Sequence, residues 1–420
     1  MMARFTGNVP EELLRTALAK VRLKYPMMGA RVEEEASGTT RFVFDGVPEF
    51  QLKVLEKKND DEWIELAWGE QKKPFDLNRG PLIKFLLLSS SDSTDLVIIC
   101  HHIICDGLSL SYLVKDIALL LSHPATELDP LPLPPTLSRD NFSVGVPSGW
   151  LLKIIMGRMN RSWKKEKVIF SGEDYAKLYR EYWQSRSIGI TVFSLPPDMT
   201  SAFILRCHEE HVTVNSALTT AFALAQNDMQ GRGQEYLRKC TAAVDVRKFL
   251  KSPPERNFGL FASVVTLALP SGKGDLWGVA RKFNSLIRRL LTNPRKVLEL
   301  LAISYLNPTL IDATWFVAYG AFENKTALRL NKLILAPIGK PRTSLGTTNL
   351  GSVDIQEDSN LKTIFFIPVH SQNYEKVIGI ITAGGEMNIS IMHDLSGMSS
   401  EAIEDFRKKS IDYIERAIGR

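Results

Sequence analysis

Leu96-Val-Ile-Ile-Cys-His-His-Ile-Ile-Cys-Asp-Gly-Leu-Ser109 joins an apolar run to two adjacent histidines and an Asp-Gly break. Residues 95–104 are nearly continuous in apolar side chains, the pattern of a strand covered on both faces. Neighbouring side chains on a strand point to opposite faces, so His101 and His102 do not converge on one metal, and only one of them faces a given cavity. Burial in such a run favours the neutral imidazole that a general base requires. Asp106 and Gly107 break the strand and start a helix, which continues over residues 109–121 with Leu110, Leu113, Ile117 and Leu120 on one side. The turn brings a carboxylate near the histidines and exposes backbone N–H groups. A lone buried histidine is more often a hydrogen-bonded core residue than a catalyst. Two adjacent histidines followed at this spacing by Asp-Gly are a rarer coincidence, and they favour catalysis.

On the N-terminal side, Leu14, Leu18, Val21 and Tyr25 form one stripe of a helix that Pro26 stops. Strands are expected over residues 30–35, 41–44, 50–55 and 82–88, with a helix over 61–70. On the C-terminal side, residues 128–135 are proline-rich and read as an extended connector. The pattern then restarts, with strands at 188–195, 241–246, 262–269 and 388–392. Helices are expected at 200–208, 214–225, 276–291 and 399–418. Mixed α and β elements across both halves predict two layered lobes, residues 1–170 and 171–420.

A chain of 420 residues exceeds one compact core, and two domains are the expectation. Its 44% hydrophobic and 24% charged residues are ordinary for a folded protein. The net charge of +5 suits an anionic partner such as a phosphopantetheine thioester without pointing to nucleic acid. Cys100, Cys105, Cys207 and Cys240 form no CxxC pair and read as reduced, buried thiols of a cytoplasmic protein. The first residues lack the apolar core of a signal peptide. The apolar stretch 300–322 is interrupted by Asn307-Pro308-Thr309 and Asp312, which makes it a poor membrane span. Without a P-loop, a dinucleotide fingerprint or zinc-ligand spacing, neither a metal nor a tightly bound cofactor is expected.

His101-His102-Ile-Ile-Cys-Asp106-Gly107-Leu-Ser109 resembles the HHxxxDGxS signature of the chloramphenicol acetyltransferase-like superfamily, which includes condensation domains and polyketide-associated and alcohol acyltransferases. Phe75-Asp-Leu-Asn-Arg-Gly-Pro-Leu82 resembles its FDLxxGPL segment, and Leu14 to Val32 its first helix and following strand. Val212-Thr-Val-Asn-Ser-Ala-Leu218, Asp245-Val-Arg247, Asn257-Phe-Gly-Leu-Phe261 and Thr348-Asn-Leu-Gly351 are similar to segments of its second lobe. The DFGWG motif of the plant branch is missing, no adenylation or carrier module is visible, and an N-terminal segment usual in relatives is expected to be short.

The resemblance implies an α/β fold of two lobes, each a mixed sheet packed with helices, with an active-site channel between them. It implies His102 as general base, His101 as a structural neighbour, Asp106 held by Arg247, and Gly107 keeping the way open for a thioester arm. Gly107 N–H, Thr347, Thr348 and Asn349 are candidate contacts for the oxyanion or the acceptor. The co-substrate would be acyl-CoA or an acyl carrier protein thioester, and the acceptor a small-molecule hydroxyl or amine. A free-standing condensation enzyme, a hydrolase and an inactive relative that binds a carrier protein or lipid remain as alternatives. Basic residues among apolar ones at 151–167 fit an acidic carrier, an anionic lipid surface or a solvated helix, the last being the commonest case. His370 and His393 have no motif around them.

Overall fold

The computed structural model describes residues 1–420 except 36–38, 136, 146–148, 230–238, 255, 273–274, 336–340 and 357, and the side chain of Arg139. Two main sheets carry the fold. The first has five strands in the order Leu361–Phe365, Met2–Thr6, Ser93–Cys100, Ile83–Ser89 and Gln51–Glu56. The second has six, in the order Ile188–Leu195, Glu386–Asp394, Tyr374–Ala383, Thr343–Val353, Lys239–Asp245 and Ala262–Ala268. The three middle strands of the second sheet that begin at Tyr374, Thr343 and Lys239 run parallel, while its other pairs are antiparallel.

Each sheet is covered by helices whose apolar stripes the sequence shows. Glu11–Lys24 buries Leu14, Ala17, Leu18 and Val21 and packs beside Gly107–Ser122, which buries Leu110, Leu113, Val114 and Ile117. Val214–Met229 buries both its faces between the second sheet and the helices Leu276–Leu291 and Ser400–Ala417. A third cluster around Trp163, Phe170, Leu310 and Phe316 joins Trp150–Lys165 to Pro308–Ala318 and Lys325–Ile334. Trp163 is fully buried, and its indole N–H donates to Thr309 Oγ1 at 2.8 Å, so the one polar atom of a large apolar group is satisfied.

Several elements depart from the sequence reading. Met2–Thr6 is an inner strand of the first sheet, second from its edge, with Met2, Ala3 and Phe5 buried, although five residues ahead of a helix show no readable alternation. Leu361–Phe365 crosses to pair with it, so the two sheets are laced and no single cut of the chain separates them. Gly172–Gln184 is a helix begun by a capping box, Ser171 with Asp174. The strand expected over 95–104 stops at Cys100, because residues 101–104 form a turn in which Ile104 N–H bonds to His101 O at 3.1 Å. The apolar stretch 300–322 breaks at Asn307-Pro308 into two short helices meeting at 103°. Among the described residues, no single helix is long and apolar enough to cross a membrane.

Candidate active site

His101 and His102 sit on the turn that follows Ser93–Cys100, not on the strand itself. The expectation that both are buried in an apolar run is therefore corrected: His101 is half-buried and His102 is exposed. Their rings are held in opposite senses. His102 Nδ1 lies 2.6 Å from Cys105 O, and because a carbonyl only accepts, Nδ1 carries the proton in the neutral ring and the lone pair is on Nε2. His101 Nδ1 instead accepts from Ile103 N–H at 3.3 Å, which leaves its proton on Nε2. Burial, and then the neighbouring His102, lower the His101 pKa. The Phe75-to-Leu82 segment buttresses this turn. Phe75 meets the His101 ring edge-on at 5.8 Å, and Leu82 O accepts from His101 N–H at 2.9 Å.

Four residues on, Asp106 caps Gly107–Ser122 and is buried under donors. Its Oδ1 accepts from Ser109 N–H at 2.8 Å and Ser109 Oγ at 2.9 Å. Oδ2 accepts from Phe261 N–H at 2.9 Å, and Arg247 reaches both oxygens at 3.1 Å. Arg247 stands at the end of Lys239–Asp245, stacks on Phe261 with 4.5 Å between charge and ring, and donates to Asp245 at 3.0 Å. Gly259 O accepts from Asp106 N–H at 3.0 Å, and Gly259 N–H donates to Ser109 Oγ at 3.1 Å. The segments Asp245-to-Arg247 and Asn257-to-Phe261 thus clamp the first helix turn of the histidine lobe to the second sheet. A buried ion pair with its remaining lone pairs satisfied is the arrangement that tolerates burial.

Gly107 touches the second lobe as well. A Cβ there would lie 2.7 Å from Leu350 Cδ2 and 3.1 Å from Phe366 Cζ, so its bare backbone admits the end of Thr343–Val353. Both histidines, Asp106 and Gly107 line a cavity of about 1580 Å³ that is walled by both sheets. Thr347 and Thr348 line it too. Thr347 donates to Thr241 O at 3.3 Å, and Asn349, away from the cavity wall, accepts from Gly351 N–H at 2.8 Å. Of these three candidates, Thr348 is thus best placed to meet a ligand.

A second part of the wall holds Tyr182, Trp183, Trp315, Tyr319 and His370. Behind it, the buried Arg186 bonds Asp394 Oδ2 at 2.8 Å, Tyr182 Oη at 3.1 Å and His370 Nδ1 at 3.2 Å. Burial first, and then the Arg186 charge, bring the His370 pKa down to about 4. His393 falls to about 4 for the same first reason, with the charge of the buried Lys376 as the next. These residues come from four separate stretches, and no local spacing joins them. Cys105, inside the signature, is buried, and burial pushes its thiol well up, away from nucleophilic use.

Residues 1–140 match the family model described as the condensation domain. The chain is 25% identical over 237 residues to cyclosporin synthetase of Tolypocladium inflatum, covering 55% of this chain and 2% of the synthetase. It is 33% identical over 122 residues to a trichosetin synthetase of Gibberella fujikuroi, covering 28% of this chain and 3% of that protein. It therefore spans only a few per cent of the length of these relatives. Among solved structures, trichothecene 15-O-acetyltransferase from Fusarium sporotrichioides superposes with a TM-score of 0.66 at 13% identity, covering 99% of this chain and 90% of that one. The epimerization domain from the third module of tyrocidine synthetase B gives 0.59 at 18% identity, covering 100% and 93%. At such identities the likeness is one of fold. The first third of this chain is thus similar to a condensation domain, and its whole length shares the two-lobed fold of these acetyltransferase and epimerization-domain structures.

Proposed function

We propose that the protein is an acyltransferase that moves an acyl group from a thioester of coenzyme A or of an acyl carrier protein to a hydroxyl or amine acceptor, with His102 as general base. The observation that carries this reading is the 2.6 Å contact of His102 Nδ1 with Cys105 O on the wall of an inter-lobe cavity. It leaves Nε2 as the proton acceptor. Nε2 takes the proton of the acceptor as its oxygen or nitrogen attacks the thioester carbonyl. Collapse of the tetrahedral adduct breaks the C–S bond, and the imidazolium returns the proton to the departing sulfur. General base catalysis contributes roughly 100- to 10,000-fold. Positioning and donors aimed at the oxyanion supply the rest, with Gly107 N–H and the Thr348 hydroxyl as candidates. Asp106 and Arg247 exchange no proton in this scheme; they hold the helix start against the second lobe.

A second reading is supported by the condensation-domain match over residues 1–140: joining of two carrier-bound substrates. Mass spectrometry of products from a panel of acyl-CoA thioesters and small acceptors, run beside the same acyl groups on a carrier protein, separates the two. Acylated acceptor formed from acyl-CoA alone supports the stand-alone transferase, whereas product formed only from carrier-bound donors supports condensation. Free acid released at one rate with or without acceptor would make the protein a hydrolase. No turnover of any thioester, with binding retained, would make it a binding relative.

A further inference from the structure

The helix Trp150–Lys165 is mounted firmly but left uncovered. Trp163 is buried, Asn160 exchanges bonds of 2.8 and 2.9 Å with Tyr305 O and Asn307 N, and Ser162 Oγ meets Thr326 Oγ1 at 2.9 Å. At 100° per residue, Trp150, Leu151, Ile154, Arg158, Arg161 and Lys165 fall on the side opposite Trp163. All six are exposed, Trp150 at 74% and Leu151 at 56%. Trp150, Leu151, Leu152, Ile154 and Ile155 crowd five exposed large apolar side chains into six consecutive residues. The helix holds five lysines and arginines and no acid.

The neighbouring helix Lys325–Ile334, which packs against it, adds three bases, again with no acid, and exposes Leu328 and Leu333. These two helices carry more positive charge than the +5 of the whole chain, so the remainder is slightly acidic. Glu166, at the end of the first helix, is engaged by Asn324 Nδ2 at 2.6 Å, and Glu299 by Lys296 at 3.2 Å. The cavity reaches the same side of the molecule, since Lys167, Leu300 and Pro308 line it.

We infer that this face docks on an anionic phospholipid surface, with Trp150, Leu151 and Ile154 in the acyl-chain boundary and the bases of both helices at the headgroups. An apolar turn followed by lysines and arginines on one outward side is the pattern of helices that lie in a membrane interface, where apolar burial and headgroup attraction add. An acidic protein partner would answer the charge but leaves the uncovered tryptophan and leucines unexplained. The inference is independent of the proposed acyl transfer.

Sedimentation of the full-length protein with vesicles of phosphatidylcholine, with and without phosphatidylglycerol, tests it. Binding is expected to the mixed vesicles, to fall as salt rises, and to be weak to phosphatidylcholine alone. Trp150→Ser with Leu151→Ser, and separately Lys164→Glu with Lys165→Glu, should each lower partitioning at least about tenfold, with unchanged circular dichroism. No binding to the mixed vesicles at low salt, or binding that both variants retain, overturns the inference. So does a dimer, or an acidic carrier-protein complex, that depends on these residues in a protein with no affinity for vesicles.

Discussion

His102 and Asp106 sit four residues apart and are held in opposite ways. The imidazole is exposed on a cavity wall and tied by one bond to a carbonyl of its own turn. The carboxylate is buried and takes bonds from Ser109, Phe261 and Arg247. A group with an open lone pair and a free path is available for chemistry, whereas a group with saturated oxygens is available only for architecture. One short motif thus holds both a reactive end and a fastening.

Substitutions can break or sharpen that contrast. His102→Ala is expected to reduce turnover by roughly 100- to 10,000-fold, with stability changed by less than about 0.5 kcal/mol, as measured by steady-state kinetics beside thermal melting. Arg247→Ala leaves the Asp106 charge buried and uncompensated, and is expected to cost about 3–5 kcal/mol in denaturant unfolding. The double variant Asp106→Ala/Arg247→Ala should lose clearly less than the sum of the two single changes. If Arg247→Ala left stability intact, the fastening role would be wrong.

The second part of the wall adds a pH dependence that the motif itself lacks. His370 and His393 have ordinary values of 6.5 and folded values of about 4. Between those values the unfolded chain takes up protons that the folded chain refuses, so stability is present above about pH 6.5 and is lost as pH falls towards 4. Melting temperature against pH should show that slope, and His370→Gln should flatten part of it. The smallest change is expected for Gly107→Ala. Leu350 is a flexible neighbour, so about 1 kcal/mol of stability is lost, with a larger relative loss of turnover as Leu350 or Phe366 is pushed towards the cavity. Denaturant unfolding beside kinetics checks both.

The fold was legible where a motif and a period coincided. The helices at Glu11–Lys24, Gly107–Ser122 and Leu276–Leu291 carry clean apolar stripes, and the paired apolar runs before the histidines are strands. Reading the strand onward through Ile103 and Ile104 failed because two isoleucines resemble continuing strand, whereas the Cys105 carbonyl and the Asp106 cap turn the chain. Met2–Thr6 and Leu361–Phe365 are five residues each, and only pairing between distant parts of the chain makes them strands. Arg247 was found beside Asp106 through resemblance alone, since 141 residues separate them. The Arg186, Asp394 and His370 group was missed for the same reason, with 208 residues between its ion-paired members and no motif to flag them.

The tautomers of the two histidines test the central claim most directly. Long-range ¹H–¹⁵N spectra of histidine-labelled protein near pH 7, assigned with His101→Gln and His102→Gln variants, read which ring nitrogen holds the proton. Opposite states are predicted, with His102 protonated on Nδ1 and bare at Nε2, and His101 protonated on Nε2. A His102 ring that carries its proton on Nε2, or on both nitrogens, would have no lone pair to offer an acceptor and would contradict the account.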